Sequence, residues 1–329
     1  YQLEQFLFRA QRGETDDEDM IASMERYISE NRPEAPICRE ALCRGAMLNQ
    51  KLERALQILL AWRANGGEEN LQYHLCLGLL HQEVAQYRRA GESFEKIVKR
   101  APKYNLARLG LAETLKIREL FSKALPHYQF LINNDFRHKL VLLGLADCYL
   151  GLDENLDLAE KYCKEQLQTE PENPIAIRLL GQIALKQNRL DQAETYLREA
   201  VRLSPGDTTA HYQLIQCLKR SGKDLEREQK KFDEISALNK RFNQLNRNRL
   251  QAKDKDLPDI YCEMGELLLK SADAESALPY LFGALSYDPN HLASRRLLYK
   301  YYVERGDLPN AQEQLRYIPE KERNRLTSP

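Results

Sequence analysis

The side chains best suited to chemistry are few and scattered. His74 and His81 stand seven apart on one helical face, a spacing at which two imidazoles could share a metal ion. They fall, however, at positions where the repeat described below places buried rings, and core packing accounts for them. Asp16-Asp17-Glu18-Asp19 lacks the alternating spacing and terminal Glu of a calcium loop. The run suits the N-terminus of the following helix, where negative charge meets the positive end of the dipole. Cys38 and Cys43, five apart, point to different faces: Cys43 takes a small packing position and Cys38 is expected to be partly exposed. There is no Gly-Lys-Ser/Thr phosphate loop, no His-Glu-x-x-His and no Gly-x-Ser-x-Gly. No catalytic residue, metal site or cofactor is assigned, and the chain is expected to be non-enzymatic.

What would position such side chains is a helical framework. The 329 residues carry 49 Lys plus Arg against 49 Asp plus Glu, a formal charge of zero, which argues against a surface built wholly for nucleic acid or anionic membrane. Hydrophobic residues make up 43%, too many for a disordered chain, and 15 Gly with 13 Pro are too few for a turn-dense sandwich. Ala, Leu, Glu, Gln, Lys and Arg dominate, the residues that helices tolerate best. No stretch of 18 apolar residues is present. The opening Tyr1-Gln2-Leu3, without Met or an apolar leader, reads as a processed or excised piece whose targeting signals are out of view. Seven cysteines without a C-x-x-C pair read as reduced core residues, favouring a reducing, cytoplasmic compartment.

Self-similarity organises the rest. Small residues at Gly78, Ala112, Ala146 and Gly181 step by 34, 34 and 35; Ala55, Ala90, Ala124, Ala159 and Ala193 step by 35, 34, 35 and 34. Pro102, Pro171 and Pro205 close units at the same phase. Within Pro174–Asp207 an apolar stripe (Ile177, Leu180, Ile183, Ala184) is broken by Gln187-Asn188-Arg189. It resumes at Leu190, Ala193, Leu197, Ala200 and Leu203. Two helices of about a dozen residues form an antiparallel hairpin, with Gly181 and Ala193 small enough to let them cross closely. Pro126, Pro279 and Pro309 are placed in first helical turns, where a missing N–H costs least.

The spacing from Ala193 to Ala277 is 84, where two periods need about 68. The surplus lies in the unit from Thr208, whose second helix is expected to run on over 224–251 before Lys253–Pro258 breaks it. Its Lys240, Arg241, Arg247, Arg249 and Lys253, with no acidic residue between Leu238 and Lys253, form a possible basic contact surface. A solvated face is the plain alternative. An acidic partner protein or RNA backbone is the functional one, with only Phe242 as a stacking platform.

These marks resemble the tetratricopeptide repeat over nearly the whole chain: Leu77-Gly78…Ala90…Phe94…Pro102, Leu111-Ala112…Ala124…Tyr128, Leu145-Ala146…Ala159…Cys163…Pro171, Leu180-Gly181…Ala193…Leu197…Pro205, Met264-Gly265…Ala277…Leu281…Pro289 and Leu298-Tyr299…Ala311…Leu315. Leu42-Cys43…Ala55…Leu59 fits with Cys in the small position. The aromatic common at the fourth position is replaced by His74, Arg108, Ile177 and His211, so the resemblance is to the superfamily and to no particular member. It implies an all-α, right-handed α-solenoid of about nine helix hairpins. The organisation expected is a degenerate unit at 1–35, five regular units at 36–207, a degenerate unit with the long basic helix at 208–257, and two units with a tail at 258–329.

The resemblance also implies a concave groove lined by the second, fifth, ninth and twelfth positions of each first helix. Those are Gln72, Leu75, Leu79 and Gln82; Leu106, Leu109, Glu113 and Lys116; Leu140, Leu143, Asp147 and Leu150; and Ile175, Arg178, Gln182 and Leu185. Leu75, Leu79, Leu109 and Leu143 are expected to form an exposed apolar contact strip; the second-position leucines serve equally well as groove or as packing between layers. A helix or extended peptide with spaced apolar anchors would fit. The Lys and Asn clamp with which some family members hold a chaperone's C-terminal carboxylate has no counterpart at these positions. The implied function is a protein–protein interaction scaffold or adaptor that assembles a multiprotein complex without inserting in membrane. The alternatives are the adaptor segment of a larger, enzymatic or membrane-associated protein, or RNA binding through 238–253.

Overall fold

The computed structural model describes residues 2–11, 17–271 and 274–327. Among them there are 19 α-helices and no strand. In order they are α1 (Gln2–Gln11), α2 (Glu18–Ser29), α3 (Ala35–Leu48), α4 (Leu52–Ala64), α5 (Leu71–Glu83), α6 (Tyr87–Arg100), α7 (Asn105–Ile117), α8 (Phe121–Asn133), α9 (Lys139–Gly151), α10 (Leu156–Thr169), α11 (Pro174–Lys186), α12 (Leu190–Leu203), α13 (Thr208–Arg220), α14 (Glu226–Asn248), α15 (Leu257–Lys270), α16 (Ala274–Tyr287), α17 (Leu292–Glu304), α18 (Leu308–Arg316) and α19 (Glu320–Thr327). The pairs α5–α6, α7–α8, α9–α10 and α11–α12 of the first unit, and α15–α16 and α17–α18 of the second, form hairpins, and within each unit these hairpins pack on their neighbours. The repeat in the sequence is thus a repeat of helix pairs.

The chain divides into two compact units. The first takes residues up to Leu48 together with Arg54–Asp233; the second takes Asn49–Glu53 and the chain from Glu234 onward. The extended helix expected over 224–251 is present as α14, followed by a single 3₁₀ turn at Arg249–Gln251.

In the first unit the core is a file of clusters, one for each hairpin. Ala90, Phe94 and Ile97 of α6 pack with Leu75, Ala107 and Leu111, and the next layer gathers Tyr128, Leu131, Val141 and Leu145. Small residues set the spacing. A Cβ at Gly78 would stand 2.6 Å from the Phe94 ring and one at Gly110 would stand 2.7 Å from its other side, so Phe94 is held between two glycines. At the crossing of α11 and α12, a Cβ on Gly181 would meet Leu197 Cγ at 2.7 Å. Close approach of helices at a residue without a side chain is what the 34-residue mark records.

Two further devices recur. The residue that turns the chain within a hairpin has positive φ, between 55 and 72°, at Gln50, Ala85, Glu119, Asp153, Asn188, Gly222 and Gly306. The position is fixed by backbone geometry while its residue type varies. In four first helices the fourth position holds a His or Arg donor that ties the preceding inter-hairpin turn. His74 Nε2 donates to Glu68 O at 2.8 Å, His211 Nε2 to Pro205 O at 2.9 Å and Arg295 Nη2 to Pro289 O at 2.8 Å; Arg108 bonds Pro102 O in the same way. Each donor lies six residues after its acceptor. Arg108 and Arg295 also cover the Phe130 and Tyr317 rings at 3.7 and 3.8 Å, which supplies the aromatic contact from the partner helix.

Several expectations are corrected. Cys38 is fully buried among Met20, Met24 and Leu42, because its helix turns that face onto α1 and α2. Pro126 and Pro279 lie in the second turn of α8 and α16 rather than the first. The residues four positions earlier, Ser122 and Glu275, are exposed, so water replaces the missing hydrogen bond. Of the acidic run, Asp17 caps α2 by accepting from Met20 N at 3.0 Å, while Asp16 lies outside the described residues.

Candidate functional site

The first helices α5, α7, α9, α11 and α13 of the first unit present residues of equal register side by side, and this face is the candidate interface. Each side chain's availability follows from its neighbours. The fifth-position leucines Leu75, Leu109 and Leu143 are 3, 6 and 3% exposed and belong to the cores of successive layers. Leu150, at 1%, packs with Ala159 and Leu179. These four do not form an exposed strip: each hairpin consumes them in packing on the next. Leu185 is buried in the same manner, and Leu79 is half-buried against the Leu75 cluster.

The exposed apolar row runs instead along the second position. Leu106 is 47% exposed, Leu140 half-buried and Ile175 41% exposed. Tyr212 of α13 is 53% exposed and its ring lies 6.2 Å from that of Phe232 on α14. Applying the fifth-position rule to the unit starting at Thr208 would have picked out Tyr212.

Beside this row lies a track of polar groups. Gln82 donates to Thr114 Oγ1 at 3.2 Å, and Gln72 is half-buried near the start of α5, whose first N–H groups are capped by Asn70. Lys116 Nζ donates to Glu113 at 2.9 Å, and the Tyr128 hydroxyl, reaching across from α8, donates to the same carboxylate. Asp147 follows, half-buried on α9. Burial pushes its carboxyl above the usual carboxylate range, while Lys116 and Arg178 pull it back. Arg178 pairs with Asp207 at 3.2 Å, yet its buried Nε–H is not aligned for a hydrogen bond. Gln182 accepts from Gln213 Nε2 at 2.7 Å, which leaves Gln213 Oε1 buried without a donor. Thr114, Tyr128 and Gln213 escape a register-based reading because they reach this face through tertiary contacts.

The basic stretch breaks up. Lys240, Arg247 and Lys253 are exposed, but Arg241 is bidentate to Glu263, at 2.5 and 2.9 Å. Arg249 is fully buried within the second unit, its guanidinium 5.4 and 5.7 Å from the Tyr261 and Tyr280 ring centroids and 3.3 Å from Gln50 Oε1. It is a core residue and no part of a contact surface, because the tyrosine faces and a side-chain amide replace its hydration. Among the described residues no three His, Cys, Asp or Glu side chains come together in a way that could hold a metal. All seven cysteines are buried, and burial pushes the Cys148 and Cys163 thiols up to about 12. Among the described residues no helix is long and apolar enough to cross a membrane.

Comparison with known proteins agrees with this architecture. Residues 152–214 match the tetratricopeptide repeat family model. A fly (Drosophila melanogaster) protein O-mannosyl-transferase, Tmtc3, is 26% identical over 140 residues, covering 43% of this chain and 15% of its own. The anaphase-promoting complex subunit CDC16 of Saccharomyces cerevisiae is 27% identical over 202 residues, covering 60% and 22%. The chain therefore spans less than a quarter of the length of either relative. Among solved structures, a tetratricopeptide repeat protein from Parabacteroides merdae aligns with a TM-score of 0.47 at 16% identity, over 81% of this chain and 94% of that one. The period, the hairpins it builds and the family match agree: residues 152–214 carry the tetratricopeptide repeat, and helix pairs of the same period flank them.

Proposed function

We propose that the protein is a non-catalytic scaffold that binds an extended segment of a partner protein along the first-helix face of its first unit. The observation that carries this reading is the exposed apolar row Leu106, Leu140 and Ile175 beside a track of half-buried polar groups, Gln82, Glu113, Lys116, Asp147 and Arg178. Spaced apolar side chains of the partner would seat on the row. Its main-chain N–H groups would reach half-buried Asp147, and its carbonyls would reach Arg178. Mixed charge along the track (Glu113, Lys116, Asp147, Arg178) favours a segment of mixed polarity over one of a single sign. A role in assembling a complex agrees with the yeast relative being an anaphase-promoting complex subunit.

The test uses exposed positions, since aspartate at buried Leu75 or Leu109 would disrupt folding. A partner recovered by affinity purification and mapped to this face by cross-linking is expected to be lost with Leu106→Asp plus Ile175→Asp, at unchanged Tm. Full retention of that partner by the folded double variant overturns the assignment.

A further inference from the structure

A second surface lies on the second helices, away from the first-helix face. Between α6 and α8 the first unit opens a cleft of about 670 Å³. Its floor is apolar: buried Leu111 with half-buried Val98, Leu115 and Leu120.

The next two hairpins show why it is open. There the residue after the recurring alanine is a glutamate that spans to the following hairpin, Glu160 to Arg189 at 2.9 Å and Glu194 to Lys223 at 2.6 Å. Each pair is separated by 29 residues. The equivalent pair between α6 and α8 is Gly91 and Leu120, so both arms of the bridge are missing and the floor is uncovered.

The charge at the rim is unbalanced. Glu92 and Glu95 are matched by Arg88 and Lys99 at 3.9 and 2.9 Å, whereas exposed Arg118 and Lys123 line the cleft and make no ion pair among the described residues. Arg118 Nη1 lies 3.9 Å from where a Gly91 Cβ would be, above the opening.

We propose that this cleft is a second docking site, taking an apolar side chain flanked by acidic residues from a partner protein. The apolar group covers Leu111, Leu115 and Leu120, and the flanking carboxylates pair with Arg118 and Lys123, supplying in trans the bridge that the later hairpins make in cis.

The test is a fluorescein-labelled peptide, Asp-Asp-Leu-Asp-Asp-Phe-Asp-Asp-Leu-Asp, titrated into the full chain by anisotropy, with an all-Asp peptide of equal length alongside. Binding is expected for the Leu/Phe peptide and not for the all-Asp one, weakened about tenfold or more by Arg118→Glu plus Lys123→Glu. Gly91→Glu plus Leu120→Arg rebuilds the ion pair of the later hairpins and is expected to abolish binding with Tm retained. Leu106→Asp plus Ile175→Asp is expected to leave it unchanged, which separates this site from the first-helix face. No binding at millimolar peptide, equal binding of the all-Asp peptide, or insensitivity to both cleft variants overturns the proposal. Loss in the Leu106/Ile175 variant alone places the peptide on the other face and overturns it as well.

Discussion

At the scale of single residues, the repeat is kept by what is absent as much as by what is present. Gly181 is where α11 and α12 approach so closely that a Cβ meets Leu197. Gly181→Leu is expected to cost on the order of 1–3 kcal/mol by overpacking. Leu197→Ala, harmful alone, should recover part of that loss in the double variant, because it vacates the same space. Chemical denaturation of the four proteins checks this; strictly additive losses would show that the two side chains do not compete. The fourth-position donors teach a complementary lesson. His74, Arg108, His211 and Arg295 differ in type, but each satisfies a carbonyl of the turn that enters its helix. Chemistry that looked like a departure from the family pattern is a substitute lock for the turn.

At the scale of elements, the hairpin turn and the long helix matter most. Ala85 and Glu119 adopt left-handed conformations, at φ 55 and 57°, with no glycine to ease them. A left-handed L-residue costs roughly 1–2 kcal/mol, against which glycine gains entropy only in the unfolded chain. Ala85→Gly and Glu119→Gly are each expected to stabilise by about 0.5–1 kcal/mol, read as a rise in thermal midpoint. A fall at both sites would show that the side chains contribute contacts that outweigh the strain. The long helix α14 answers differently at its two ends. Glu228 is clasped by buried His211 near its start, and Phe242 meets Tyr280 edge-on at 5.4 Å further along. Of its run of cations, neighbours consume Arg241 and Arg249, while Lys240, Arg247 and Lys253 remain exposed.

For the whole molecule, the pH dependence of stability follows from three imidazoles. His74, His81 and His127 all titrate below the usual histidine value, chiefly through burial, with nearby Lys96, Arg89 and Arg108 respectively acting in the same direction. A base depressed in the native state binds its proton more readily when unfolded. The stability these groups contribute is therefore present above the ordinary value near 6.5 and is lost as pH falls below it. The thermal midpoint is expected to drop between about pH 7 and pH 5.5, and the His74→Gln, His81→Gln and His127→Gln triple variant should flatten that slope. An unchanged slope would assign the dependence to other groups. Partner recognition also belongs to this scale, since neither the second-position row nor the polar track exists within one hairpin.

The amino-acid order alone determined the architecture: 34-residue spacing of small residues requires helices that cross at fixed intervals, and the period survives any change in the side chains between them. It also located the long helix by counting, because 16 surplus residues with unbroken apolar spacing have few other forms to take. Exposure was decided only in three dimensions. The periodicity that places Leu75, Leu106, Leu109 and Leu143 on a first helix is blind to how deeply the next hairpin covers each. Packing buried Leu75, Leu109 and Leu143 and left Leu106 and Ile175 at the surface. Arg249 among tyrosines, and the cleft over Gly91 and Leu120, arise in the same way from neighbours distant in sequence, whose approach depends on the interlocking of whole layers.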